Sequence, residues 1–66
     1  GQVAVIVEDV TTTGQSALDA ISEARREGLI VNHAFSIIDR EEGGRELLKA
    51  NGVELHPIFT KTDFGL

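Results

Sequence analysis

The sequence contains no cysteine, so no disulfide can staple it and no thiolate can hold a metal. Basic residues are also scarce: six Lys and Arg stand against eleven Asp and Glu, a formal charge of −5. That balance argues against non-specific nucleic-acid binding, which needs a basic face. No apolar run approaches the roughly 20 residues of a membrane span. Nor does a charged-then-apolar leader open the chain. No nucleic-acid or membrane partner is therefore expected, and a cytoplasmic location fits. Proline occurs once, at Pro57.

At 66 residues the chain allows one small domain. A domain of this size buries only about 60 % of the surface its unfolded chain exposes, which leaves it marginal. It begins at Gly1 rather than Met, and Val3 already lies in an apolar run. A piece of a longer chain is the expectation.

Val3 to Val7 is a continuous run of Val, Ala and Ile, the pattern of a strand buried on both faces in a parallel sheet. After Gly14, residues 15–27 read as helix, with Ala17, Leu18, Ile21 and Ala24 at helical spacing and Gly28 as the C-terminal stop. Residues 29–38 read as a second strand. Regular alternation puts Val31, His33, Phe35 and Ile37 on one face and Ile30, Asn32, Ala34, Ser36 and Ile38 on the other. Residues 41–51 read as a second helix ended by Asn51-Gly52, and 53–60 as a third strand. Pro57 cannot donate to a ladder, so that strand belongs at a sheet edge. The tail from Lys61 to Leu66 is too short to assign. The order βαβαβ makes an α/β fold with a parallel sheet. Strand order 3-2-1 would put both helices on one face and leave the other bare, in want of cover from further chain or a partner.

The densest chemistry lies in residues 5–16. A strand runs into adjacent carboxylates, Glu8 and Asp9, then through Val10 into the hydroxyl-rich turn Thr11-Thr12-Thr13-Gly14, and Gln15-Ser16 opens a helix. In open parallel sheets ligands bind beyond the carboxyl ends of strands. An anion there meets unpaired helix N–H groups and the positive end of the helix dipole. The carboxylates can accept hydrogen bonds from a vicinal diol, each worth roughly 1.5–3 kcal/mol, or stand near a divalent cation. A ribose 5-phosphate group has both features. Alternatively, Glu8-Asp9 is a solvated strand end and Thr13 an N-cap. Neither G-x-G-x-x-G nor G-K-[ST] is present.

Residues 37–44, Ile-Ile-Asp-Arg-Glu-Glu-Gly-Gly, repeat the arrangement one strand over. The Arg40 fork suits a planar carboxylate. Equally, it can form a surface ion pair with Asp39, Glu41 or Glu42, worth about 0–1 kcal/mol. His33 and His56 read as structural.

Val-Glu-Asp-Val-Thr-Thr-Thr-Gly followed by Asp-Arg-Glu-Glu-Gly-Gly resembles orotate phosphoribosyltransferase, over nearly the whole chain. The resemblance implies the C-terminal portion of a type I phosphoribosyltransferase domain, Rossmann-like in fold, spanning residues 1–66. It further implies binding of 5-phosphoribosyl 1-pyrophosphate (PRPP) by Glu8, Asp9, Val10, Thr11, Thr12, Thr13, Gly14, Gln15 and Ser16. Glu8 and Asp9 would hold the ribose hydroxyls and Thr13 to Ser16 the 5′-phosphate. Thr12 and Arg40 would contact orotate. Family members act as homodimers with Mg²⁺, carried mainly by PRPP, and make orotidine 5′-monophosphate. Their mobile catalytic loop would lie upstream of Gly1, so no catalytic residue is expected here and the piece is expected to be inactive alone. A phosphoribosyltransferase for another base and a non-catalytic PRPP sensor of the same fold are the rival readings.

Overall fold

Alternating burial, rather than burial on both sides, marks the first strand. In the computed structural model, which describes residues 1–65 (Phe64 by backbone alone), β1 spans Val3–Thr11. Val3, Val5 and Val7 are exposed, while Ala4 and Ile6 pack against the core. Next come α1 (Gln15–Arg26), β2 (Ile30–Asp39), α2 (Gly44–Ala50) and β3 (Glu54–Thr60), and a short 3-10 turn at Thr62–Phe64. The 3-10 turn occupies part of the tail left unassigned above; Leu66 lies outside the described residues.

The sheet is wholly parallel, in the order β1-β2-β3, with Pro57 on an edge strand as its missing N–H requires. Both helices cover one face and pack on each other. Ala17 and Ile21 of α1 meet Leu48 of α2 over Val31, Ala34, Val53 and Leu55. Arg25 ties the far ends of this layer together, its guanidinium donating to the carbonyls of Val31 (2.7 Å) and Asn51 (2.8 Å). The opposite face is bare, as the topology foretells: Val3, Val7 and Ile58 are 67–73 % exposed, joined by Val5, Phe35 and Ile37.

Three boundaries differ from the sequence reading. First, β1 runs four residues beyond Val7, because Glu8, Val10 and Thr11 pair with Ser36, Ile38 and Asp39 of β2. Second, α2 begins at Gly44, not Glu41: Glu41 (φ 58) and Gly43 (φ 98) both lie in the left-handed region, which a helix excludes. Third, the alternation of β2 is broken. Ala4 pairs with Val31 but Val5 with His33, so Asn32 is an extra residue bulged out of the ladder. Val31 consequently shares the helix-covered face with Ala34 and Ser36, while His33, Phe35 and Ile37 lie on the bare side.

Candidate functional site

The carboxyl ends of β1 and β2 lie side by side, and their loops are tied by backbone. Arg40 N–H donates to the Thr11 carbonyl (2.9 Å) and Gly44 N–H to the Thr12 carbonyl (3.1 Å). The loops touch through two glycines. A Cβ at Gly14 would stand 2.9 Å from Gly44 Cα, and one at Gly44 would stand 2.8 Å from the Thr12 carbonyl oxygen. Gly14 also has φ +88, a conformation that costs other residues roughly 1–2 kcal/mol. Only glycine satisfies both demands, which explains its place in the turn. Gly44 carries an equal steric demand that the sequence reading did not assign. The Gly43-Gly44 doublet was its one visible signal.

Gly14 rather than Thr13 is the N-cap of α1, and no side chain caps the helix. The first turn carries no acidic residue. Its N–H groups and dipole therefore remain available to an anion, the dipole contributing roughly 0.3–1 kcal/mol and up to about 2 when partly buried. Glu8, Val10, Thr11, Thr12, Gly14, Ser16 and Ala17 line a depression of about 30 Å³ there. That is close to the share of one water, so a phosphorylated sugar would lie over it rather than inside. The strand pleat sends successive side chains to opposite faces: Glu8 is half-buried against the depression, whereas Asp9 is exposed and does not line it. Thr12 and Thr13 are exposed.

Thr11 is the least expected member. It is 3 % exposed, and its hydroxyl is buried without a hydrogen-bond partner among the described residues. A hydroxyl in that state costs about 1–3 kcal/mol until something satisfies it. The other two buried polar residues are satisfied. Ser36 donates to the Ile38 carbonyl (2.8 Å), and Asp39 accepts from Glu41 N–H (2.9 Å), fixing the turn after β2.

Arg40 reaches the site by its backbone, while its side chain pairs with the Glu42 carboxylate at 3.0 Å, both half-exposed. This is the surface ion pair that the sequence left open. Glu41 points instead to the tail, accepting from both the hydroxyl and the N–H of Thr62. The side-chain bond first, and the backbone bond second, hold its carboxyl below the usual glutamate range. A lowered native value means the tether is complete above that range and is lost as the pH falls through the lowered value. Acid should therefore release the 3-10 turn before the core, read as faster amide exchange at Thr62. Equal protection of Thr62 on both sides of the glutamate range would refute this.

A larger groove of about 830 Å³ runs along the β3 edge, lined by Arg45, Lys49, Glu54 and His56 among others. It holds no residue of either motif. Among the described residues, no helix is long and apolar enough to cross a membrane.

No family model matches the chain. It is 52 % identical over 96 % of its length to an orotate phosphoribosyltransferase of Halobacterium salinarum, of which it covers 36 %. Among solved structures it superposes on orotate phosphoribosyltransferase from Aeropyrum pernix with a TM-score of 0.93 at 40 % identity, covering 97 % of this chain and 39 % of that one. The Mycobacterium tuberculosis orotate phosphoribosyltransferase in complex with PRPP gives a TM-score of 0.90 at 33 % identity, over 97 % of this chain and 40 % of that one. The chain thus spans about a third of the length of the curated relatives it matches.

Proposed function

We propose that the chain, similar over nearly its whole length to orotate phosphoribosyltransferases, is part of such an enzyme and seats the phosphoribosyl group of PRPP beside orotate. The whole reaction joins orotate to the anomeric carbon of PRPP with loss of pyrophosphate. It gives orotidine 5′-monophosphate on the way to pyrimidine nucleotides, in the cytoplasm. The observation that carries this reading is the uncapped N-terminus of α1, free of acidic residues, beside the depression that Glu8, Thr12 and Ser16 line. A phosphate over Thr12 to Ser16 would meet the free N–H groups there.

Glu8, half-buried on the inner side of the strand, would accept from the ribose hydroxyls. Asp9 reaches them only from the outer side of the strand end. As pyrophosphate departs, positive charge grows on the ribose ring, and these carboxylates stabilise it electrostatically rather than by proton transfer. Orotate is already an anion, so this segment needs no strong base. Arg40 can exchange Glu42 for the orotate carboxylate at little cost, because an exposed ion pair is worth only about 0–1 kcal/mol. Thr12, exposed on the same turn, would complete that contact.

The hard oxygens of Glu8 and Asp9 suit Mg²⁺, which binds through one or two carboxylates plus substrate phosphates. The ion would supply charge neutralisation at the pyrophosphate. The bare apolar face is consistent with further chain and a homodimeric partner covering the sheet.

The test is a PRPP titration followed by amide shifts, then a chimera in which this segment replaces its counterpart in the Halobacterium salinarum relative. Shifts centred on Glu8–Ala17, with orotate turnover in the chimera, are expected. Arg40→Ala in the chimera should raise the orotate requirement and leave PRPP binding intact. Shifts centred on Arg45 and Lys49 instead, or a folded chimera without turnover, would remove the assignment.

A further inference from the structure

On the bare face of the sheet, at the end remote from the two loops, parallel register brings together three metal-ligating side chains that the sequence separates by up to 23 positions. His33 of β2 lies opposite Glu54 of β3, and His56 follows two residues along the same strand, on the same face. His33 Nδ1 is 2.9 Å from His56 Nε2. Glu54 Oε1 stands 3.3 Å from His56 Nε2 and 3.9 Å from His33 Nδ1. The His56 ring is stacked on Phe35, centroids 4.9 Å apart at 22°, which fixes the direction of its nitrogen.

We propose that His33, Glu54 and His56 form a three-donor site for a divalent transition-metal ion of the zinc class. Tetrahedral coordination with metal–nitrogen distances of about 2.0–2.1 Å separates neighbouring donors by roughly 3.3–3.4 Å. The three observed separations bracket that value. The imidazole nitrogens need to part by a few tenths of an ångström, and Glu54, 68 % exposed in its side chain, is free to close in. Two imidazoles and one carboxylate are a donor set for zinc, cobalt or nickel rather than for magnesium, which prefers oxygen throughout. Three protein donors leave the remaining position to water. Nothing in the site draws on the phosphate-binding turn.

The chain, free of any tag, should be titrated with Co²⁺ by visible absorption and with Zn²⁺ by calorimetry. One equivalent is expected, with the intense visible bands of a four-coordinate ion. Loss of residues that merely orient a metal ligand lowers affinity about 10–100-fold, so His33→Gln, Glu54→Gln and His56→Gln should each cost at least that. These side chains are at least partly exposed, so circular dichroism should be unchanged. Undiminished binding in the His33→Gln/His56→Gln double variant would overturn the site. So would Co²⁺ that keeps its six-water spectrum in the parent chain, a readout that requires no variant to fold. Because neither measurement involves PRPP or orotate, its failure would leave the proposed function standing, and the converse holds.

Discussion

Gly44→Ala is expected to disrupt the phosphate-binding turn without touching any ligand. The new Cβ would stand 2.5 Å from Thr11 Cγ2 and 2.8 Å from the Thr12 carbonyl oxygen. The second neighbour is backbone, already held by Gly44 N–H, so the turn itself must move. Overpacking of this kind costs roughly 1–3 kcal/mol. Displacement of about 1 Å at a substrate-positioning group can lower a rate on the order of 100-fold. Gly43→Ala is the control. Gly43 has φ +98 but open space around its Cβ position, so that substitution carries backbone strain and no clash. Chemical denaturation and PRPP titration of both variants decide the matter. Gly44→Ala should lose PRPP affinity and Gly43→Ala retain it. Identical amide shifts at Thr12–Ala17 in the parent and Gly44→Ala would dispose of the coupling.

Leu48→Ala should have the larger effect on stability. Leu48 is 0 % exposed and sits where α2 meets Ile21, Val53 and Leu55. Truncating a fully buried leucine costs about 2–5 kcal/mol. At roughly 0.05–0.15 kcal/mol per residue, a chain of this length has only about 3–10 kcal/mol in all. Between about a fifth and all of the native stability should therefore vanish, and at the upper limit the variant does not fold. Its neighbour Leu47 is only partly buried, so Leu47→Ala should cost distinctly less. Equal denaturation midpoints for the two variants would show that α2 does not dock as described.

How much of this was legible in the sequence depended on whether the deciding contact was local. Apolar runs gave the strands, helical spacing gave α1, and Gly28 and Gly52 gave helix ends, each an interaction within a few residues. Pro57 correctly marked an edge for the same reason: the missing donor is its own. The extension of β1 to Thr11 was hidden, because Glu8-Asp9 reads as a strand end until Ser36 and Ile38 pair beside it. The start of α2 was hidden likewise. Glu41 and Glu42 are good helix formers, but the tie of Gly44 to Thr12 and of Asp39 to Glu41 N–H turns the chain first.

At the site, the motifs located the right loops, while the pleat divided the two carboxylates between faces in a way that adjacency in sequence conceals. The Thr11 hydroxyl stood in the motif, but its burial depends on packing that no spacing reports. The His33–His56 pair was invisible for the plainest reason. Residues so far apart meet only once the register between two parallel strands is known.

The bulge at Asn32 also bears on which lengths of β2 the fold can accept. Regular pleating sends odd and even positions to opposite sides, so losing one residue from a strand exchanges inside for outside along everything that follows. Asn32 is already surplus to the ladder. Deleting it would leave Val31, Ala34 and Ser36 in step with the helices and only straighten the strand. The same deletion at Phe35 would drive Ile37 under the helices and expel Ile38. A single position in β2 can thus drift in length while its neighbours are held to count.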